Sequence, residues 1–234
     1  MNVLKRTVNY FSKFELGLWA SSVVLIVVSF LVFDRSNYLT LFASLLGATA
    51  ILLNAKGNPL GQLFMIVFCL IYVYISISFS YYGEVATYLG MTLPMSVIAL
   101  ISWLKHPFKG KKTEVEVNRL SLMEDAIMFF LAFVVTVVFY FILKYFHTAN
   151  LVPSTFSITT SFLAVYLTFR RSPYFSLAYA LNDVVLIVLW LLASMEDAKY
   201  ISVVVCFLAF LINDLYAYYS WKKMEKRQQQ IVQA

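Results

Sequence analysis

The chain has 234 residues, of which 62% are hydrophobic, 18% aromatic and only 13% charged, with a formal net charge of +6. Soluble domains are nearer about 45–50% apolar and about 25% charged. So few charges cannot cover so much apolar surface, which excludes a soluble enzyme, a disordered chain and a free nucleic-acid binder and leaves a polytopic membrane protein.

Taken in chain order, eight apolar runs reach the length of about 17–25 residues that a helix needs to cross a bilayer. They are 15–33, 38–54, 60–80, 85–104, 122–146, 153–169, 174–194 and 200–221. The runs are continuous and lack period-two alternation, which predicts helices and not a barrel. Turn-forming residues punctuate them at 34–37, Gly57-Asn58-Pro59, Tyr82-Gly83-Glu84, Asn150, Ser172-Pro173 and 195–199. Ser121 with Glu124 is a capping box that opens the fifth run. The N-terminal stretch is basic, but no A-x-A cleavage site follows the first run, so that run reads as a retained helix. Cys69 and Cys206 lie inside apolar runs with no CxxC or Cys/His cluster, so they read as small core residues, and no metal or cofactor is expected. His106 and His147 fall at run ends and read as interfacial.

The basic residues test this count. With the N-terminus inside, the inner segments hold Lys5, Arg6, Lys13; Lys56; Lys105, Lys109, Lys111, Lys112, Arg119; Arg170, Arg171; and Lys222, Lys223, Lys226, Arg227. The outer segments hold Arg35, Lys144 and Lys199, a bias of 15 to 3. Short connectors rich in Lys and Arg stay on the cytoplasmic side. The expected topology is therefore eight spans with both termini cytoplasmic.

Helices six to eight resemble helices two to four. NAKGNPLGQ at 54–62 aligns with TFRRSPYFS at 168–176, pairing Lys56 with Arg170 and Pro59 with Pro173. ALISWLKH at 99–106 aligns with AYYSWKKM at 217–224, pairing Trp103 with Trp221. The offsets are 114 and 118. Equivalent helices are four spans apart and share one orientation, a parallel repeat about the membrane normal, as in SWEET-type transporters. The predicted organisation is a cytoplasmic segment and extra helix (1–37), a first three-helix bundle (38–104), a basic loop (105–121), an inversion linker (122–150), a second bundle (151–222) and a cytoplasmic tail (223–234).

Two polar pairs sit deep in the last two spans. Asn182 is nine residues from Pro173 and Asn213 eight from Trp221, roughly 12–14 Å at about 1.5 Å per residue. Each is followed by an aspartate, Asp183 and Asp214. A carboxyl group at the centre of a bilayer costs about 2.5–3.5 kcal/mol on insertion scales, whereas interhelical polar bonds average about 0.6 kcal/mol. A polar cavity between the bundles accounts for the pairs better than helix adhesion alone. Ser96 and Tyr72 fall near the same depth. Trp190 lies toward the outer mouth on the Asn182 helix, Tyr216 shares a face with Asn213, and Gln62 is one turn inside the membrane, either a cytoplasmic gate or an interfacial group. Pro94 interrupts the fourth span and is the candidate hinge. No HExxH, G-x-S-x-G, DDxxD or P-loop is present, so neither catalysis nor ATP hydrolysis is expected. No Lys or Arg occupies the central layer, which predicts an uncharged or cationic, unphosphorylated ligand.

Tyr82-Gly83-Glu84, Leu93-Pro94-Met95, Asn182 with Leu189-Trp190, and Phe210-Leu-Ile-Asn213 through Tyr216 to Trp221 resemble the PnuC vitamin transporters over about 38–225. The resemblance implies a SWEET-like core of three, one and three helices, often preceded by an extra helix. It implies facilitated diffusion of nicotinamide riboside with cytoplasmic phosphorylation as the trap, and a homotrimer. Relatives are associated with thiamine, riboflavin or deoxyribonucleosides. Members that carry the riboside tend to have two tryptophans just before the helix-seven asparagine, where this chain has Phe175 and Ala178. Many also have Gln where this chain has Ser96, and the Asn-Asp pairs are atypical. Beside a passive carrier stand two other readings, the substrate-binding subunit of an ATP-driven vitamin importer and a proton-coupled carrier.

Overall fold

The computed structural model describes residues 10–78, 82–148 and 150–233. Among them are eight helices long and apolar enough to cross a membrane. They are α1 (Lys13–Phe33), α2 (Tyr38–Ala55), α3 (Leu60–Ser78), α4 (Tyr82–Lys105), α5 (Leu122–Tyr145), α6 (Leu151–Phe169), α7 (Phe175–Ser194) and α8 (Ile201–Gln233). The chain is a multi-pass α-helical membrane protein, with the spans where the apolar runs predict them. Residues 79 and 80, expected in the third span, lie outside the described residues, as do Lys5 and Arg6. The lipid-facing side of α5 carries Phe129, Phe130, Phe133 and Phe141, all exposed, which only an apolar surround tolerates.

Two helices depart from a plain span. α4 runs as α-helix over Tyr82–Thr87, widens to a π-helical turn at Tyr88–Thr92, and resumes over Leu93–Lys105. The Leu93 N–H reaches back five residues to the Tyr88 carbonyl. Pro94 therefore opens a new helical segment, where its missing donor disturbs an already interrupted ladder. α8 continues past the expected end at 221 to Gln233, because good helix formers follow the apolar run. Its polar end docks under the bundle. Glu225 is buried and pairs with Arg119 at 2.6 Å, Gln228 accepts from the Val117 N–H at 2.8 Å, and Arg227 pairs with Glu114. The tail expected at 223–234 is thus helical through Gln233.

α2 packs on α3 and α3 on α4; α6 packs on α7 and α7 on α8. The two groups meet where α4 crosses α6 and where α8 crosses α2. The hydrogen bonds across this meeting are reciprocal. The Trp103 indole donates to the Thr168 carbonyl at 2.8 Å, and the Trp221 indole to the Asn54 carbonyl at 2.7 Å. The Ser102 hydroxyl donates to the Phe169 carbonyl at 2.9 Å, and the Ser220 hydroxyl to the Ala55 carbonyl at 2.7 Å. Residues matched by the 114 and 118 offsets thus make matching bonds. The two indoles are wholly buried with ring centres 5.4 Å apart, and Phe175 lies against both.

The correspondence reaches one helix further. Capping boxes open both α1 (Ser12, Glu15) and α5 (Ser121, Glu124). Glu15 pairs with Lys56 at 3.3 Å and Glu124 pairs with Arg170, the equivalent basic residue of the other half. α1 packs on α2 as α5 packs on α6, so the helix outside the three-helix repeat makes in its half the contacts that the linker makes in the other. Each connector turns through a left-handed residue, Gly57 at φ +65 and Arg171 at φ +57. One loop ties both connectors: the Val115 N–H bonds the Gly57 carbonyl at 2.9 Å and the Asn118 N–H the Arg171 carbonyl at 3.0 Å. Tyr10 bonds Thr113 and Lys109 bonds Ile231, so both ends of the described chain gather at this basic face.

Trp103→Phe or Trp221→Phe removes the indole bond from a buried carbonyl that keeps its bond from the Arg171 or Gly57 N–H, at about 0.5–1.5 kcal/mol each. Thermal unfolding of the purified protein should show comparable losses for the two, since each removes the same brace from opposite halves.

Candidate functional site

Between the two three-helix groups lies a cavity of about 110 Å³. Its wall toward the basic face includes Phe175 and Asn54. Behind that wall sit the packed indoles of Trp103 and Trp221 and the buried Gln62, which donates to the Asn54 side chain at 2.9 Å. Phe68 and Tyr88 line the opposite side. Both stack against Tyr72, at 4.7 and 4.9 Å between ring centres. Tyr72 itself lines a second cavity of about 350 Å³ with Asp34, Thr40, Trp190, Lys199 and Tyr200. The three rings therefore stand between this chamber and a vestibule at the end away from the basic face, toward which the chamber itself reaches at Thr148 and Ser154. Glu84 borders both spaces and is exposed to them. At the vestibule rim Lys199 pairs with Asp197 at 2.7 Å, and its hydrogen bond holds the Asp197 carboxyl below the usual range.

Polar side chains enter the chamber from the second half. The Asn182 carbonyl accepts from the Thr160 and Ser161 hydroxyls of α6 at 2.8 and 3.1 Å. This fixes the amide and turns its –NH₂ to the chamber, a donor suited to a carbonyl or a sugar hydroxyl. Asp183 and Asp214, on adjoining helices, both line the chamber and are each 4% exposed. Asp183 Oδ2 has no partner among the described residues. Close helix approach shapes the opposite wall: a Cβ on Gly47 would meet the Phe210 ring at 2.7 Å. With Phe68, Tyr88, Phe175, Tyr179, Phe207 and Phe210 around it, the chamber offers flat apolar walls and a polar edge.

Of the residues singled out from the sequence, Asn182, Asp183 and Asp214 line this chamber together, while the others stand elsewhere. Asn213 turns to α1, donating to Ser22 at 2.7 Å and to the Ala209 carbonyl at 2.6 Å, with its Oδ1 unpartnered. Tyr216 donates to Glu15 at 2.8 Å at the basic face. Tyr72 and Trp190 belong to the vestibule. Ser96 is buried beside Cys69, Gln62 lies behind the basic-side wall, and Pro94 follows the π-helical turn. Adjacent helical residues differ by about 100°, so depth alone did not sort Asn213 from Asp214.

Two contributions went unread in the sequence. Ser154, Ser157 and Ser161 of α6 all line the chamber, and their three- and four-residue spacing marks one helix face, a signal that was present. Glu84 was read as part of a connector and of a motif that carries the family resemblance, not as a site residue. Its place where the two spaces meet depends on how α4 packs against α3 and α5.

A two-bundle membrane protein with a polar-edged chamber between the bundles has the form of a solute carrier. The chain belongs to the nicotinamide mononucleotide transporter family, whose model matches residues 37–223. It is therefore a membrane transporter of a small molecule and not an enzyme. It is 24% identical over 200 residues to the nicotinamide riboside transporter PnuC of Neisseria mucosa, covering 84% of this chain and 76% of that one. It superimposes on the crystal structure of the vitamin B3 transporter PnuC with a TM-score of 0.79 at 22% identity, over 93% of this chain and 94% of the other. That likeness establishes the fold.

Thr160→Val removes the shorter of the two bonds that orient Asn182 while keeping side-chain volume. Ligand affinity, measured by titration of the purified protein, should fall about fivefold to tenfold, the equivalent of one hydrogen bond of about 1 kcal/mol, with little change in melting temperature.

Proposed function

We propose that this transporter carries nicotinamide riboside through the chamber between its two bundles. The basic face is cytoplasmic by the positive-residue bias, the membrane is the bacterial inner membrane, and the vestibule of Tyr72, Trp190 and Glu84 is the outer approach. Net flux follows the substrate gradient, and phosphorylation in the cytoplasm keeps the product from returning. A homotrimer is the assembly that the PnuC resemblance implies.

The observation that carries the substrate reading is Asn182. Its amide is held by two hydroxyls and presented to a chamber walled by aromatic rings. Rings accept the flat face of a pyridinium, and the amide donor suits the carboxamide oxygen or a ribose hydroxyl. The family model is described by a mononucleotide, yet among the described residues no Lys, Arg or His lines the chamber. A phosphate there would be buried without a counter-charge, so the riboside is preferred to its phosphate. Alternating access proceeds by rocking of the two bundles, with the Phe68–Tyr72–Tyr88 rings as the outer gate, the wall at Phe175 and Asn54 as the inner one, and the Tyr88–Pro94 stretch of α4 as hinge.

Thiamine is a second reading. It is favoured by Phe175 and Ala178 standing where riboside carriers tend to have tryptophans, and by the carboxyl pair, which suits a thiazolium as well as a pyridinium.

In proteoliposomes, Asn182→Ala should lower initial uptake of labelled nicotinamide riboside at least about tenfold at equal protein content. Uptake at the unaltered rate would remove Asn182 from the site. Excess unlabelled nicotinamide mononucleotide should not compete, whereas competition as strong as that by the riboside would overturn the preference for an unphosphorylated ligand.

A further inference from the structure

Asp183 and Asp214 place two carboxyl groups where the scaffold does not need them. The 114 and 118 offsets match Asp183 with Cys69 and Asp214 with Ser96. Cys69 and Ser96 stand on the packed pair α3 and α4 as the two aspartates stand on the packed pair α7 and α8. The first half builds the same helix pairing from a neutral thiol and a hydroxyl, both buried. Carboxyl groups in the second half are therefore an addition to the packing and not a requirement of it.

The addition points inward. Both aspartates are more than nine-tenths buried and line the chamber, and Asp183 Oδ2 has no hydrogen-bond partner among the described residues. Tyr179 of α7 and Cys206 of α8, which face the pair, are neutral. No basic side chain among the described residues lines the chamber. Two buried carboxyl groups that line one chamber without a basic neighbour repel each other when both are charged, which favours a proton on at least one of them. On the outer approach the acidic groups are Asp34, in the vestibule and already bonded to Ser36, and Glu84, where vestibule and chamber meet.

We propose that Asp183 and Asp214, sharing one proton, are the single-charge counter-ion of the transport site and make it selective for a monocationic aromatic ring over a neutral ring of the same shape. The proposal rests on the carrier reading above and assigns its charge selectivity to two residues. A pair with one proton carries one negative charge, matched by one pyridinium or thiazolium. A neutral ring would leave that charge buried and uncompensated. Asn182 orients the ligand through hydrogen bonds; the carboxyl pair selects its charge.

The test compares nicotinamide riboside with benzamide riboside, its neutral isostere, by equilibrium binding to the purified full-length protein. Wild type should bind the cation at least about tenfold more tightly. Equal affinity overturns the counter-ion while leaving the carrier reading intact, and binding of neither overturns both. In Asp183→Asn/Asp214→Asn, which keeps size and hydrogen bonding, the ratio should fall to near one through loss of affinity for the cation. An unchanged ratio there excludes the pair. If that variant does not fold, Asp183→Asn alone still lacks the shared-proton contact between carboxyls and should weaken the preference, and an unaltered preference in it counts against the proposal.

Discussion

Everything in this molecule is built around two indole rings that lie against each other and each reach into the opposite half. Trp103 bonds a carbonyl at the end of α6, and Trp221 bonds one at the end of α2. Those carbonyls belong to the last turn of a helix, where each accepts from its own connector, from the Arg171 and Gly57 N–H groups at 3.0 and 2.9 Å, and has a second lone pair to offer. The two halves therefore complete each other's helix ends. The serines that precede the tryptophans repeat the exchange one residue along, and a single loop holds both connectors from below.

This brace explains where the chamber is. Helices fastened tightly at the basic face are held apart above it by aromatic side chains that contact one another at their edges and leave a void between. Phe175 has both roles, with one face on the indoles and another on the chamber. The partition of Phe68, Tyr72 and Tyr88 has no comparable hydrogen-bonded anchor among the described residues. A molecule fixed at one end and stacked at the other is arranged to open first at the stacked end. The π-helical turn of α4 lies beside that partition and carries Tyr88, which puts the least regular stretch of backbone at the gate.

Near-symmetry of the frame makes its departures informative. Lys56 and Arg170 match, as do Glu15 and Glu124, and the connectors match down to their left-handed residues. The chamber does not match. Its three serines, Asn182 and both aspartates come from α6, α7 and α8, while α2, α3 and α4 supply Asn54, Glu84, Thr87 and Thr92 among apolar groups. A symmetric frame gives two-state rocking; an asymmetric lining gives the ligand one orientation.

Much of this was legible in the sequence, because the bilayer leaves so few solutions. Eight apolar runs could only be eight spanning helices, the basic connectors fixed which ends gather on one face, and the 114 and 118 offsets paired Trp103 with Trp221 and one connector with the other. Depth along a helix was equally legible, since it is counted from the membrane edge at a constant rise. Direction around the helix was not. Asn213 and Asp214 have the same depth and nearly opposite errands, one to Ser22 of α1 and the other to the chamber, and only the placing of α1 beside α8 decides between them. The same holds for Tyr216, drawn to Glu15, and for Glu84, a connector residue on paper. Hydrophobic length and charge bias are properties of one segment and can be read from it, whereas a binding site is an agreement among the faces of several helices, and that agreement exists only once they are packed.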